Sequence, residues 1–163
     1  MSKHAMDHLL AEAPGRSLAY HAGRHASLQW RAFVAALART LYDNAEDGDA
    51  DAFLREVGTN MARALPLPQV ATLEELEAAM NAKWADLDWG WVRLREGTGD
   101  VGIVHGATPT GFAEDTGGTW GRASVPLLEG LYTEWFAAQQ GPSHLAVSLV
   151  GERAEPLHLR YGR

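Results

Sequence analysis

The sequence contains no cysteine in its 163 residues. Disulfide bonds, thiol chemistry and zinc sites built on thiolates are therefore excluded. Basic residues are scarce as well, since 14 lysines and arginines face 21 aspartates and glutamates and leave a net charge of −7. Nucleic acids and anionic lipid headgroups both attract basic surfaces, so we expect neither as a partner.

Long apolar runs are also missing. No segment approaches the ~20 apolar residues that a membrane-spanning helix needs. In the first 26 residues, charges, histidines, Pro14 and Gly15 interrupt any stretch that could serve as the apolar core of a signal peptide. We therefore expect no membrane insertion and predict a cytoplasmic location.

The N-terminal residues 1–26 show no clear period, and they predict a flexible extension ahead of one domain at 27–163. Four of the seven histidines lie in this extension, in two pairs spaced four apart: His4 with His8, and His21 with His25. On a helix this spacing puts both rings on one face, as metal ligands require. No carboxylate pattern completes a site, so we favour a polar tail and predict no metal or cofactor.

Three segments before residue 88 have helical periodicity. The first begins near Leu28, and its predicted buried stripe consists of Trp30, Phe33, Val34, Leu37 and Leu41. The second, from about Ala50 to Leu65, contains Gly58, which suggests close approach of another backbone. The third opens with a capping box formed by Thr72 and Glu75.

After residue 88 the apolar residues recur at every second position, the period that is typical of β-strands. "WGWVRLRE" and "VGIVHG" predict a hairpin, and "HLAVSLVGE" and "EPLHLRYG" predict two closing strands. Between these pairs lies a fourth helix, with Ser124 as its expected N-cap and Gly141 past its end. The fold class is α+β: N-terminal helices followed by a small antiparallel sheet, with one further helix between its strand pairs.

Carboxylates offer the one catalytic alternative. A small glycosidase would use Glu129 and Asp88, provided that the two carboxyl groups lie about 5 to 9.5 Å apart. Both residues also fit structural roles, and the serines and histidines show no triad spacing. His105 at a strand end is typical of a structural histidine with satisfied hydrogen bonds. We therefore predict no catalytic residues and no enzyme.

Six tryptophans dominate the aromatic content. Trp30, Trp84 and Trp135 lie on helical apolar stripes and are predicted core residues. Trp89 and Trp91 alternate with Val92, so we expect them to share an outward strand face with Arg93 and Arg95. Such a face needs a cover, and we favour another subunit over a stacked glucan.

The fourth helix is apolar over much of its girth, so we expect it to be buried on several sides, partly by another subunit. Together with the strand face it supplies the candidate contact residues of the sequence. They are Trp89, Trp91, Arg93, Trp120, Leu128, Leu131, Tyr132 and Trp135.

Five motifs in order resemble one known family. They are "FLREVGTNMA", "DLDWGWVRL", "IVHG", "GTW" and "VPLLEGLYTEWF", within residues 28–163. In this order and spacing they resemble the D subunit of bacterial cellulose synthase.

The resemblance implies a non-catalytic accessory subunit that assembles from dimers into a ring-like octamer. Its expected partners are copies of itself, the other cellulose synthase subunits and β-1,4-glucan, which it helps to order into crystalline cellulose. In the family the extreme N-terminus lines glucan passages. That region is longer and histidine-rich here, so no passage residue is carried over.

A second alternative is a ligand-binding sensor. Three helices before an antiparallel sheet, with "LREVG" on the second helix, resemble small-molecule-binding domains related to vesicle-tethering proteins. Such a domain would hold an apolar ligand between its helices and its sheet.

Overall fold

The structure is a computed structural model and describes residues 27–163. Its elements in chain order are α1 (Leu28–Asn44), α2 (Asp47–Ala64), α3 (Leu73–Leu87), β1 (Trp91–Glu96), β2 (Val101–Gly106), α4 (Thr119–Ala138), β3 (Ala146–Leu149) and β4 (Leu157–Gly162). The predicted α+β class is confirmed. The two histidine pairs and the predicted flexible extension lie outside the described residues.

The four strands form one sheet in the order β1-β2-β4-β3, and every neighbouring pair is antiparallel. Alternate side chains point to opposite faces of the sheet. The inner face is apolar and buried against the helices, through Val92, Leu94, Ile103, Leu159 and Tyr161. The period-two segments of the sequence thus become strands that are covered on one face.

Helix α3 begins at the predicted capping box. The Thr72 hydroxyl accepts a hydrogen bond from the Glu75 amide at 3.2 Å, and the Glu75 carboxylate accepts one from the Thr72 amide at 3.3 Å. At the other end Asp88 adopts the left-handed conformation, with φ 58°. This turn stops the helix and redirects the chain into β1.

Helix α4 begins at Thr119, one and a half turns before the predicted N-cap Ser124. The Asp115 carboxylate accepts hydrogen bonds from the amides of Trp120 and Gly121, at 3.0 and 3.3 Å. It satisfies amides that the first turn of a helix leaves unpaired, so the helix can start early. The acid lies five residues before the first of these amides, a spacing that the usual N-cap pattern does not include.

Helices α2 and α4 touch through their backbones. A Cβ atom added to Gly58 would overlap the carbonyl oxygen of Leu127, and one added to Gly130 would overlap that of Arg55. The prediction that Gly58 permits close approach is confirmed. Helix α4 therefore lies between α2 on one side and the sheet on the other.

Candidate functional site

Five of the candidate contact residues are buried within the single chain: Trp120, which is 9% exposed, and four residues further along α4. Leu128, Leu131 and Tyr132 are 0% exposed and Trp135 is 1% exposed. The expectation that this part of α4 is available to another subunit is therefore wrong, because α2, α3 and the sheet of the same chain surround it. These side chains also fill the space between helices and sheet in which a sensor domain would hold its ligand.

A hydrogen-bonded network lies in this core. The Trp84 indole N–H donates to the Tyr132 hydroxyl oxygen at 3.0 Å, and that hydroxyl lies 2.6 Å from His105 Nδ1. His105 Nε2 lies 3.0 Å from the carbonyl oxygen of Trp89, which can only accept, so Nε2 carries the proton. Tyr132 then donates to Nδ1, and every polar atom of the network has a partner. The prediction that His105 is a structural histidine is confirmed.

Burial lowers the pKa of His105 to about 4, although the hydrogen bond to the Trp89 carbonyl acts in the opposite direction. Between pH 6.5 and 4 the unfolded chain binds the proton and the folded chain does not, so stability is lost as the pH falls through this window. We expect His105 to account for a loss of roughly 3 kcal/mol in the free energy of unfolding between pH 7 and pH 4. Urea denaturation across this range would measure it.

The control for this pH effect is a histidine that cannot titrate. His105→Gln should be less stable than the wild type at pH 7 and should show a flatter pH dependence. His158→Gln, a substitution on the exposed surface, should keep the wild-type dependence. Equal slopes for wild type and His105→Gln would contradict the assignment.

Glu129 is buried, and both of its carboxylate oxygens are engaged. One accepts from Arg55 Nε at 2.9 Å and the other from the Leu149 amide at 2.9 Å. Asp88 is exposed at the end of α3 beside β1, whereas Glu129 binds β3 at the opposite edge of the sheet. Three interstrand spacings put the two on the order of 14 Å apart, too far for a glycosidase pair.

Trp89 does not share the strand face on which the sequence placed it. It precedes β1, and its ring stacks on Trp84 with centroids 6.1 Å apart and an interplanar angle of 7°. Its edge meets Trp120 at 6.3 Å. Gly90 causes the difference, because its φ of 91° lies outside the extended conformation of a strand and separates Trp89 from the period-two register that begins at Trp91.

Trp89 and Trp120 instead border an aromatic groove of about 450 Å³. The groove is completed by Ser27, Trp30, Arg31, Val34, Leu87, Pro109 and Phe112. Trp120 is held in place by its indole N–H, which donates to the Pro109 carbonyl at 2.9 Å. Two candidate contact residues thus meet at one open site, together with Trp30 from α1.

Helix α1 exposes three of the five residues in the stripe that was predicted to be buried. Trp30, Phe33 and Leu37 are 55%, 57% and 51% exposed, and we call them the aromatic face. The helix packs mainly through Ala35 and Ala38, whose small side chains let it lie close to α4, and Val34 and Leu41 of the predicted stripe are partly buried against the same cluster. Apolar periodicity located the stripe correctly but gave no signal that alanines would form the contact.

The outer face of the sheet holds the other predicted surface residues. Trp91 is 44% exposed, while Val92 and Leu94 point to the core as predicted. Arg93 lies on the outer face and reaches Glu77 at 3.3 Å. Of the predicted outward pair of tryptophans, the structure therefore places Trp91 alone on this face.

Both edges of the sheet are closed by helix side chains. On β1, the Val92 amide donates to Asn81 Oδ1 and the Leu94 amide donates to Glu77. On β3, the Val147 amide donates to Thr133 Oγ1 at 2.8 Å, and Leu149 donates to Glu129 as described above. Free edge amides are what a strand of another chain would bind, so neither edge offers a template for sheet extension.

The described residues hold no cluster of histidine, aspartate and glutamate side chains that could bind a metal ion. Within residues 27–163, every helix is too short or too polar to cross a membrane. The charged side chains described above serve packing and surface contacts. Fold and surfaces together define a small α+β protein with an aromatic groove and several exposed large apolar side chains.

Comparison with known proteins names the family. The model of the family described as the cellulose synthase D subunit matches residues 16–162. Cellulose synthase operon protein D of Komagataeibacter xylinus is 36% identical over 112 residues, which cover 67% of this chain and 70% of that protein. The protein of the same name from Komagataeibacter sucrofermentans matches with the same identity and coverage.

The chain therefore belongs to the family of cellulose synthase D subunits, as its sequence motifs predicted. Its role lies in bacterial cellulose synthesis.

Proposed function

We propose that this protein is a non-catalytic scaffold subunit that associates with copies of itself and with other subunits of a cellulose synthase complex. Self-assembly into a ring-like homo-oligomer would order the synthases and the glucan chains that they release. One observation carries the proposal: the aromatic face of α1 leaves three large apolar side chains more than half exposed. Clustered apolar surface of this kind is typical of protein contact sites.

Two further observations support it. The closed sheet edges direct association to faces rather than to strand addition. The structural engagement of Glu129 removes the best catalytic candidate that the sequence offered. The predicted cytoplasmic location stays a prediction, which cell fractionation against a periplasmic marker enzyme would check.

A charge in the aromatic face should weaken self-association. We expect Phe33→Glu to cost about 2 kcal/mol of association free energy, or roughly 30-fold in Kd, because the carboxylate would be desolvated without a partner. Sedimentation velocity over a concentration series measures the change. Far-ultraviolet circular dichroism should be unchanged, since Phe33 makes little contact with its own core.

Leu28→Glu is the matched control. Leu28 is 75% exposed on the same helix, but at about 100° per residue it lies roughly 140° to 200° around the helix from the aromatic face. It should assemble like the wild type. Equal weakening by both substitutions, or by neither, would reject the aromatic face as the contact.

The aromatic groove supports a second candidate role, contact with β-1,4-glucan. Sugar rings present apolar faces that pack on indoles, and Trp30, Trp89 and Trp120 all border this groove. We expect cellohexaose to perturb tryptophan fluorescence, with binding reduced at least about tenfold by Trp30→Ala. Trp91→Ala, which removes an exposed indole outside the groove, should bind like the wild type; equal loss in both variants would contradict the site.

A further inference from the structure

The outer face of the sheet is basic on an acidic protein. The strand positions that point away from the helices include Arg93, Arg95 and Arg160, and none of these positions is acidic. The whole chain nevertheless has a net charge of −7. Arg93 is paired with Glu77, so Arg95 and Arg160 supply the positive charge on the sheet face that the helices leave uncovered.

Two of these arginines flank a hollow. Gly102 lies between Arg95 on β1 and Arg160 on β4, so no side chain fills the space between the two guanidinium groups. The hollow has a volume of about 460 Å³, and Val104, Val150 and His158 complete its floor and rim. Asp100 in the β1–β2 turn also borders it.

The spacing between strands determines how far apart Arg95 and Arg160 lie. Two interstrand steps separate the Arg95 and Arg160 backbones by roughly 10 Å, enough to admit a carboxylate side chain between them. Arg95 makes no ion pair within the described residues, and Arg160 donates a hydrogen bond to the main-chain carbonyl of Arg163, at 2.9 Å. Both guanidinium groups can therefore receive an external carboxylate.

The complementary surface is the junction between α1 and α2, which we call the acidic corner. Asp43, Glu46 and Asp49 are exposed there. Their neighbours are engaged within the chain: Asp47 pairs with Arg122 at 2.7 Å, and Asp51 accepts from the Tyr42 hydroxyl at 2.5 Å. The three exposed acids carry the charge that a basic face attracts.

The corner and the hollow of one chain cannot meet. Helix α4 packs on the inner face of the sheet, and α1 and α2 pack on the far side of α4. The acidic corner therefore lies in the helix layer, while the hollow opens on the outer side of the sheet. A contact between them must join two molecules.

We propose that the outer sheet face of one copy binds the acidic corner of a second copy, with its carboxylates between Arg95 and Arg160. This contact deepens the proposed self-assembly and rests on it, but it uses a different surface from the aromatic face. Each copy offers one face and one corner, so the contact is head-to-tail and propagates into a closed ring or an open filament.

The test is a charge swap in the full-length chain. A sheet variant carries Arg95→Glu and Arg160→Glu, and a corner variant carries Asp43→Lys, Glu46→Lys and Asp49→Lys. Analytical ultracentrifugation at low and high salt, about 50 mM and about 500 mM NaCl, measures assembly size. We expect each variant alone to lose the larger assembly, with Kd raised about 10- to 100-fold at low salt, and an equimolar mixture of the two to restore it.

The control variant carries Arg39→Glu and Lys83→Glu, which change the net charge equally outside the sheet face. It should assemble like the wild type. The proposal is overturned if the mixture stays dissociated, if the control fails like the sheet variant, or if the corner variant assembles normally. The last result would show that assembly does not use the acidic corner.

The same data separate this contact from the proposed function. A wild-type protein that is monomeric at both salt concentrations overturns both proposals. A dimer that is sensitive to Phe33→Glu, with no larger assembly at low salt, overturns the head-to-tail contact and leaves the scaffold role standing.

Discussion

Replacing Gly58 by alanine should destabilise the protein by more than about 3 kcal/mol, a large part of the stability of a domain of this size. The added methyl group would overlap the main-chain carbonyl of Leu127 and crowd the Leu131 amide. Backbone atoms cannot rotate away as a side chain can, so α2 and α4 would have to separate. Separation would expose the apolar surface that the two helices bury against each other.

Urea denaturation followed by circular dichroism measures this loss, and α2 supplies its own control. Gly48 lies in the first turn of the same helix, with no atom within 4 Å of the position its Cβ would occupy. Gly48→Ala should stabilise the protein by roughly 0.5 to 1 kcal/mol, because alanine loses less backbone entropy in a helix. If both substitutions shifted the midpoint in the same direction, the close approach would not be the cause.

The sequence predicted the elements of this fold well because each has a local signal. The capping box at Thr72 and the alternation through Val92 and Leu94 each arise within a few residues of the chain, and a glycine inside a helical segment is enough to indicate the close approach at Gly58. The resemblance to the D subunit family rested on five such segments in order, and comparison with known proteins confirmed it. Local chemistry was therefore sufficient for the fold class and the family.

The surfaces were harder to predict because they depend on which neighbour covers each stripe. On α1, alanines are buried against α4, whereas the larger residues Trp30 and Phe33 are exposed to solvent. On α4 the chain's own helices covered Leu131, which the sequence had left open to another subunit. Apolar periodicity reports that a stripe will be covered, but the identity of the cover is set by tertiary packing.

The side chains that close the sheet edges could not be predicted from the sequence either, because their partners are distant in the chain. Glu77 and Asn81 occupy a polar side of α3, where the sequence gives no reason to expect more than solvent. They instead bind edge amides of β1, which lies more than ten residues later in the chain. Glu129 was singled out for chemistry because it is an acid in an apolar helix, and its burial in the structure is offset by Arg55 and the Leu149 amide. Structural and catalytic carboxylates share that sequence signal, and only their partners distinguish them.

Tyr132→Phe should have the second large effect, because it removes the central hydroxyl of the buried network. Without it the Trp84 indole N–H loses its acceptor and His105 Nδ1 loses its donor, while both stay fully buried. Each of the two unsatisfied buried groups costs about 1 to 3 kcal/mol, so the expected loss is about 2 to 6 kcal/mol although the substitution removes one oxygen atom.

Tyr161→Phe is the matched control for this loss. Its hydroxyl donates to the Pro142 carbonyl at 3.4 Å, a long and partly exposed bond, so we expect its removal to cost less than about 1 kcal/mol. Combining Tyr132→Phe with His105→Leu removes the orphaned imidazole and should recover part of the loss. Equal effects of Tyr132→Phe and Tyr161→Phe would show that the Tyr132 hydroxyl adds no special stability. A double variant whose loss equals the sum of the two single losses would show that Tyr132 and His105 are not energetically coupled.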